Sequence, residues 1–409
     1  MSIKLEDGAT VVLRYGGWGD LFPVVCAARW MREKFPDRPV DAAVRGKEQV
    51  EFLRGLGVFR AVYEQVVDMG GRWVEWDLGV DGLHPGYAPL QRLPDAYDLV
   101  VDFRDTVENN PFADHGNWYD LSLSFAGFDP AEVPPEMKRP FVRLEEKHRK
   151  GAHKAWRAVG GGREHRPRVV LALAGSAPLR SMPREFWQAV VDRVGERVPG
   201  ATFIVLSGPE KAGLAPTGPR VKNLVGKTKM IESAWVLAHS DLAVCADTGL
   251  AHFAEGLGVD NITCYTTVRG WTRSMYHKYT HVVDTPLDCQ CAALVALCPR
   301  IAQKIMEPMN GIQRRIFEMR HIQPTPEPVI AERLNMSRPA LEAESKIVEA
   351  YRKRIHGEFA PCVHAIDVDV VVDKAVEILE GKRGNGCEGI RGVDGTEITT
   401  CAAVSEARA

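Results

Sequence analysis

Asn223–Val259 reads NLVGKTKMIESAWVLAHSDLAVCADTGLAHFAEGLGV, and the order of signals within it decides the fold. Ile231–His239 is an apolar run at helical spacing, whereas Leu242–Cys245 is too short for a helix and reads as a buried strand. The polar triplet Asp247-Thr248-Gly249 follows, and Leu250–Leu257 resumes the helical pattern. Helix, strand, polar turn and helix form the repeat of a parallel sheet, because parallel neighbours need a crossover connection.

The same alternation extends in both directions. Strands are predicted at Val169–Leu173, Thr202–Leu206 and Ile262–Tyr265, with a helix over Glu185–Val194. In the first half, Ala9–Leu13, Val40–Val44, Ala61–Val67 and Tyr97–Phe103 read as strands. Leu21–Phe35, stopped by Pro36, and Gln49–Leu56, stopped by Gly57, read as helices. Around Glu145–Arg168 the chain turns basic and then glycine-rich, as a hinge does. The expectation is two Rossmann-like α/β domains facing across a cleft, 1–148 and 168–299 with 361–381, joined by a linker at 149–167. Residues 300–360 break the rhythm and read as a charged helical insert interrupted by Pro324, Pro326 and Pro328. Ile366–Gly381 reads as a closing helix, and 382–409 as a disordered tail.

The 409 residues, 45% of them apolar, suffice for two domains with full cores. Lys plus Arg number 52 against 54 for Asp plus Glu, which leaves no global field for nucleic acid and at most peripheral membrane contact. The N-terminus lacks a signal-peptide core, so a cytoplasmic protein is expected.

In open parallel sheets ligands bind beyond the carboxyl ends of strands, and four clusters stand there. Gly16, Gly17, Gly19 and Asp20 follow the first strand; glycines let backbone approach a ligand, and Asp20 either caps the next helix or handles a proton in a cleft. The dinucleotide pattern G-x-G-x-x-G fails at Phe22, which disfavours NAD. AGSAPLRSMP (174–183) offers Ser176, Ser181 and Arg180, which suit a diphosphate. In the third cluster, Thr248 and Gly249 can meet phosphate at a helix start, Asp247 can accept sugar hydroxyls, and His252 lies one turn on. TTVRGWTRSMYHKY (266–279) is aromatic and basic, suiting either a nucleotide or solvent.

In this order and spacing the clusters resemble the family-9 glycosyltransferases, the ADP-heptose:lipopolysaccharide heptosyltransferases of the GT-B fold. The resemblance rests on GDLFPVVCAARWMREKFP, YDLVVDF, GSAPLRSMPREFWQAVVDRV with FIVLSGPE, the quoted Asn223–Val259 stretch and CVHAIDVDVVVDKAVEIL. It spans about residues 8–298 and 361–381.

The resemblance implies an inverting transferase, with Asp20 as general base towards the acceptor hydroxyl. It implies donor contacts at Ser176, Arg180, Lys227, Asp247, Thr248, Gly249, Leu250 and His252, the family's lysine being replaced by Arg180. A glycine-proline-threonine-aspartate stretch common in the family is replaced by TTVRGW. The donor implied is a nucleotide-diphosphate sugar, foremost ADP-heptose, used without a catalytic cofactor. The acceptor is a glycan, lipid-linked or protein hydroxyl, met at the inner face of the cytoplasmic membrane. Gly17, Gly19, Arg104, Asn110, His115 and Trp118 are acceptor-side candidates. Cys289, Cys291, Cys298 and Cys362 suggest a structural zinc or iron site, while Cys26, Cys245 and Cys264 read as small core residues. A competing reading keeps the fold but makes the protein a sugar-nucleotide-binding or docking module that has lost catalysis.

Overall fold

The computed structural model describes residues 10–14, 16–65, 99–103, 116–158, 167–175, 178–287, 299–322, 325–354 and 361–384. The N-terminal half builds β1 (Thr10–Arg14), α1 (Leu21–Lys34), β2 (Val40–Arg45), α2 (Lys47–Leu56), β3 (Val62–Gln65) and β4 (Leu99–Asp102). Its sheet is parallel, in the order β3-β2-β1-β4. α3 (Trp118–Phe125) packs against α1 and starts at Asn117, whose side chain accepts the Tyr119 and Asp120 amides as an N-cap should.

α4 (Arg149–Ala158) occupies the first part of the stretch expected to be linker. It is basic and buries little beyond Ala152 and Ala155, so its helical period hides beneath charge. It lies against α6 of the second half. That half comprises β5 (Arg168–Ala172), α5 (Arg184–Arg197), β6 (Thr202–Leu206), β7 (Val221–Asn223), α6 (Met230–Ala238), β8 (Leu242–Ala246), α7 (Gly249–Gly256), β9 (Asn261–Tyr265) and β10 (Thr280–Asp284). Its parallel sheet runs β10-β9-β8-β5-β6-β7. Numbered within this half, that is the Rossmann order 3-2-1-4-5-6 read from the other edge. The order reverses between β5 and β8, so a crevice opens beyond their carboxyl ends. The loops there are the 174–181 and 247–249 clusters.

β5, β6, β8 and β9 are buried along their whole length, which is why Val169–Ala172, Phe203–Leu206 and Leu242–Ala246 read as apolar runs, while β9 carries Asn261 and Thr263 among its apolar residues. The edge strands β7 and β10 are only half-buried and more polar, and sequence reading passes over them. The expected insert is helical: α8 (Pro299–Met306), α9 (Gly311–Phe317), α10 (Glu327–Arg333) and α11 (Arg338–Arg354). Ile301, Ile305, Ile316, Phe317, Ile330, Leu341 and Val348 bury themselves in the same core as β5 and α5. α12 (Val368–Gly384) closes the chain against α5 through Arg193–Asp369 and Arg197–Asp373 ion pairs.

The two halves meet where the turn after β1 touches the start of α7. A Cβ placed on Gly249 would lie 2.7 Å from Trp18 Cβ and 3.3 Å from the Gly19 amide nitrogen, so only glycine fits unmoved. Around this contact Phe253 of α7 sits against Trp18, Phe22 and Phe52, with ring centroids 5.8, 5.2 and 5.1 Å away. Tilted and edge-to-face arrangements at such spacings add to the burial of each ring. Gly249→Ala is expected to cost about 1–3 kcal/mol by overpacking, while Gly213→Ala, where a Cβ meets nothing, changes stability by less than about 0.5 kcal/mol. Denaturant unfolding of the two variants checks this; equal midpoints would show that the contact relaxes freely.

Candidate active site in the interdomain cleft

An interdomain cleft of about 1430 Å³, measured to its open mouth, lies at the switch point. Gly17, Trp18, Gly19, Asp20, Glu48 and Trp118 line it from one half. Arg180, Glu210, Lys229, Asp247, Thr248, Gly249 and His252 line it from the other.

Asp20 precedes α1 but does not cap it. Its backbone is already helical (φ −69°, ψ −16°), and its side chain accepts no hydrogen bond from the helix amides. Instead Oδ2 accepts the Gly17 amide at 2.6 Å, which folds the glycine turn around the carboxylate at the cleft wall. Gln49 Nε2 donates to the Gly16 carbonyl at 3.0 Å and braces the same turn from α2.

Across the cleft, β8 is followed by a buried Asp247 whose Oδ2 lies 3.4 Å from Arg180 Nη1. Arg180 arrives on a loop that closes on itself: Ala174 bridges Ser181, and the Gly175 amide donates to the Arg180 carbonyl at 3.2 Å. Gly175 is required there, because a Cβ would lie 2.5 Å from the Asp247 carbonyl oxygen. Thr248 is extended and α7 begins at Gly249, so the first amides of α7 stand at the cleft.

His252 is 3% exposed. Its ring lies 5.6 Å from that of Phe22, nearly parallel, and Gly19 leaves just enough room for it, a Cβ there meeting Nε2 at 3.3 Å. Burial drives its pKa down to about 4; Asp247 and Asp20 pull it up, Arg273 and Arg180 push it down, and burial wins. The imidazole is neutral at pH 7, with two carboxylates and two guanidiniums around it.

The Thr266–Tyr279 segment is neither a solvated loop nor part of the cleft lining. It is a strap across the two halves. Asn117 Nδ2 donates to the Trp271 carbonyl at 2.9 Å, Tyr276 Oη to Asp120 Oδ2 at 2.6 Å, and Arg139 Nε to the Tyr276 carbonyl at 2.8 Å. The buried Arg273 guanidinium stacks 3.2 Å over the Trp118 ring. His277 is half-buried beside Tyr119 Oη and His252, and loss of solvent around the ring holds its pKa well below the usual histidine range.

Of the residues expected from sequence, the structure brings Asp20, Gly17, Gly19, Trp118, Arg180, Asp247, Thr248, Gly249, Leu250 and His252 to one cleft. Lys227 points away, donating to the Asn223 carbonyl at 2.8 Å from an exposed position, and Lys229 two residues on lines the cleft instead. Sequence reading also misses Glu48 and Glu210, which line it. The stretch GKTKMIE holds the signal for Lys229, but only the turn decides which lysine faces inward. Ser176, Arg104, Asn110 and His115 lie outside the described residues, as do Cys289, Cys291 and Cys298. Cys362 is buried, and among the described residues no group of three or more His, Cys, Asp and Glu is placed to hold a metal. Cys26 and Cys264 are buried thiols whose pKa values burial pushes up to about 12, as small core residues require. No helix among the described residues is long and apolar enough to cross a membrane.

Residues 120–294 match the family model of glycosyltransferase family 9 (heptosyltransferase). No curated protein matches the chain by sequence. Among solved structures, the E. coli ADP-heptose lps heptosyltransferase II is similar in fold, with a TM-score of 0.52 at 11% identity over 69% of this chain and 92% of that one. A glycosyl transferase family 9 protein from Veillonella parvula aligns with a TM-score of 0.49 at 14% identity, over 86% of this chain and 98% of its own. The E. coli heptosyltransferase WaaC with ADP aligns with a TM-score of 0.44 at 16% identity, over 73% of this chain and 99% of its own.

The depressed pKa of His252 carries a stability consequence. Between its unfolded value near 6.5 and its folded value of about 4, the unfolded chain binds the extra proton. Stability from this residue is therefore complete above about pH 6.5 and falls as pH drops towards 4, by a total of order 3 kcal/mol. Urea unfolding of wild type and His252→Gln at pH 7 and pH 5 checks it: the wild type loses more stability than the variant over that interval, and equal losses would contradict a buried neutral ring.

Proposed function

We propose that the chain is a glycosyltransferase of family 9, whose family model matches residues 120–294, and that it transfers a heptose from ADP-heptose to an acceptor hydroxyl in lipopolysaccharide core assembly. One observation carries the reading: Asp20 and the Asp247-Thr248-Gly249 helix start line the same cleft from opposite halves. The fold likeness to the E. coli ADP-heptose lps heptosyltransferase II supports the choice of donor.

In this reading the sugar nucleotide lies along the second half. Asp247 accepts sugar or ribose hydroxyls, and the diphosphate meets Arg180, Lys229 and the first amides of α7, all cleft-lining. Asp20 stands on the other wall. It takes the acceptor hydroxyl proton as that oxygen bonds to the anomeric carbon, while the bond from that carbon to the nucleotide phosphate breaks on the opposite face. The configuration at the anomeric carbon inverts. Cations and amides receive the charge that grows on the departing diphosphate, so their stabilisation is strongest at the transition state. A neutral His252 suits this arrangement, because it packs the two loops together without adding a third cation. A cleft opening between the halves suits an acceptor presented at the inner face of the cytoplasmic membrane.

Asp20→Ala is expected to lower transfer from ADP-heptose by at least about 10³-fold while ADP affinity stays within about threefold. Turnover assays beside calorimetry check both halves of the statement. Retained turnover removes Asp20 from the base role.

A further inference from the structure

The strap between the halves also has a fixed root in the donor helix. Glu255 sits on α7 two turns after Asp247 and is 4% exposed. Its Oε1 accepts the Lys278 amide at 2.6 Å; its Oε2 accepts the Tyr279 amide at 2.8 Å and the Thr280 hydroxyl at 3.0 Å. Three donors converging on one buried carboxylate fix the end of the strap to the helix whose other end lines the cleft. At Tyr276 the strap reaches the N-terminal half. The phenol donates to Asp120 Oδ2 at 2.6 Å and accepts from Lys138 Nζ at 3.2 Å, and Lys138 also bonds Asp120 Oδ1 at 2.8 Å. Asp120 is in the first turn of α3, two residues after Trp118, which lines the cleft.

We propose that Glu255 and Tyr276 are positioning residues, through which the donor helix α7 sets the placement of α3 and its cleft-lining Trp118 on the acceptor side. The segment from Gly270 to Thr280 is the connecting strut, and neither residue touches substrate. The proposal rests on the transferase reading only for what the cleft binds; the strut itself is a matter of geometry. The sequence places this device where the chain departs from its family pattern, in TTVRGW and the residues that follow. The departure thereby acquires a role in orienting the acceptor rather than in holding the nucleotide.

Native-state hydrogen exchange tests the strut without any ligand. Glu255→Gln leaves at least one strap donor without a carboxylate oxygen, and Tyr276→Phe removes the phenol bonds but keeps the ring. Each is expected to speed exchange of the 118–125 amides by about tenfold while the 184–197 amides of α5, in the same half as Glu255, stay within about twofold. Because both act through one strut, the double variant should exchange no faster than about twice the faster single variant. Multiplying effects, or acceleration spread evenly over both helices, would overturn the proposal and leave Glu255 a local packing residue. ADP affinity measured on the same samples should stay within about threefold of wild type, as expected for residues off the nucleotide path. If ADP fails to bind even the wild type, the nucleotide reading falls, while the exchange result still decides the strut.

Discussion

The close approach of Gly249 to Trp18 and Gly19 is the constraint on which the cleft depends. Backbone meets backbone there because neither glycine carries a Cβ in the way, and a methyl group would force the halves apart. Both contact partners line the cleft. The turn that bends around Asp20 and the helix start that follows Asp247 are thus fixed to each other by the same contact that joins the halves. Phe253, Trp18, Phe22 and Phe52 fill the space behind it, and their rings make the junction a continuation of the first core.

That packing dictates the electrostatics. A junction so dry leaves His252 uncharged, although Asp20 and Asp247 both lie near enough to favour its proton. Asp247 and Asp20 pull the ring's pKa up, and the guanidiniums of Arg273 and Arg180 push it down. The strap supplies the other side of the arrangement. Its bonds to α3 and its anchorage on Glu255 link residues far apart in sequence, Asn117 to Trp271 among them.

Much of this was legible from sequence, for physical reasons that differ by element. β5, β6, β8 and β9 are buried along their whole length, and the apolar residues that fill them make strands of Val169–Ala172, Phe203–Leu206, Leu242–Ala246 and Ile262–Tyr265. That they lie parallel follows from the need for crossover connections, and binding beyond the carboxyl ends of strands then points to the 174–181 and 247–249 loops. Asp20 and Asp247 stood out as carboxylates where a strand ends, but only the structure separates a cleft carboxylate from a helix cap. β7 and β10 escaped notice because an edge strand needs few apolar residues. α4 escaped because Ala152 and Ala155 are all it buries of its face. Lys229 was missed in favour of Lys227 since a two-residue shift in a turn reverses the side that a lysine faces. The strap was invisible in principle: its contacts are tertiary, and an aromatic, basic run reads alike whether it binds a ligand, solvent or another helix.

The measurement that tests the central claim most directly is calorimetric titration of wild type and Asp247→Ala with ADP, GDP, UDP and NAD. A cleft built for the donor named here binds ADP in preference to the other three, with affinity reduced by at least about tenfold when the Asp247 carboxylate is removed. Preference for GDP or UDP would keep the fold and the cleft but contradict ADP-heptose as donor. No binding of any nucleotide would contradict the transferase account and leave Asp20 as part of a structural turn.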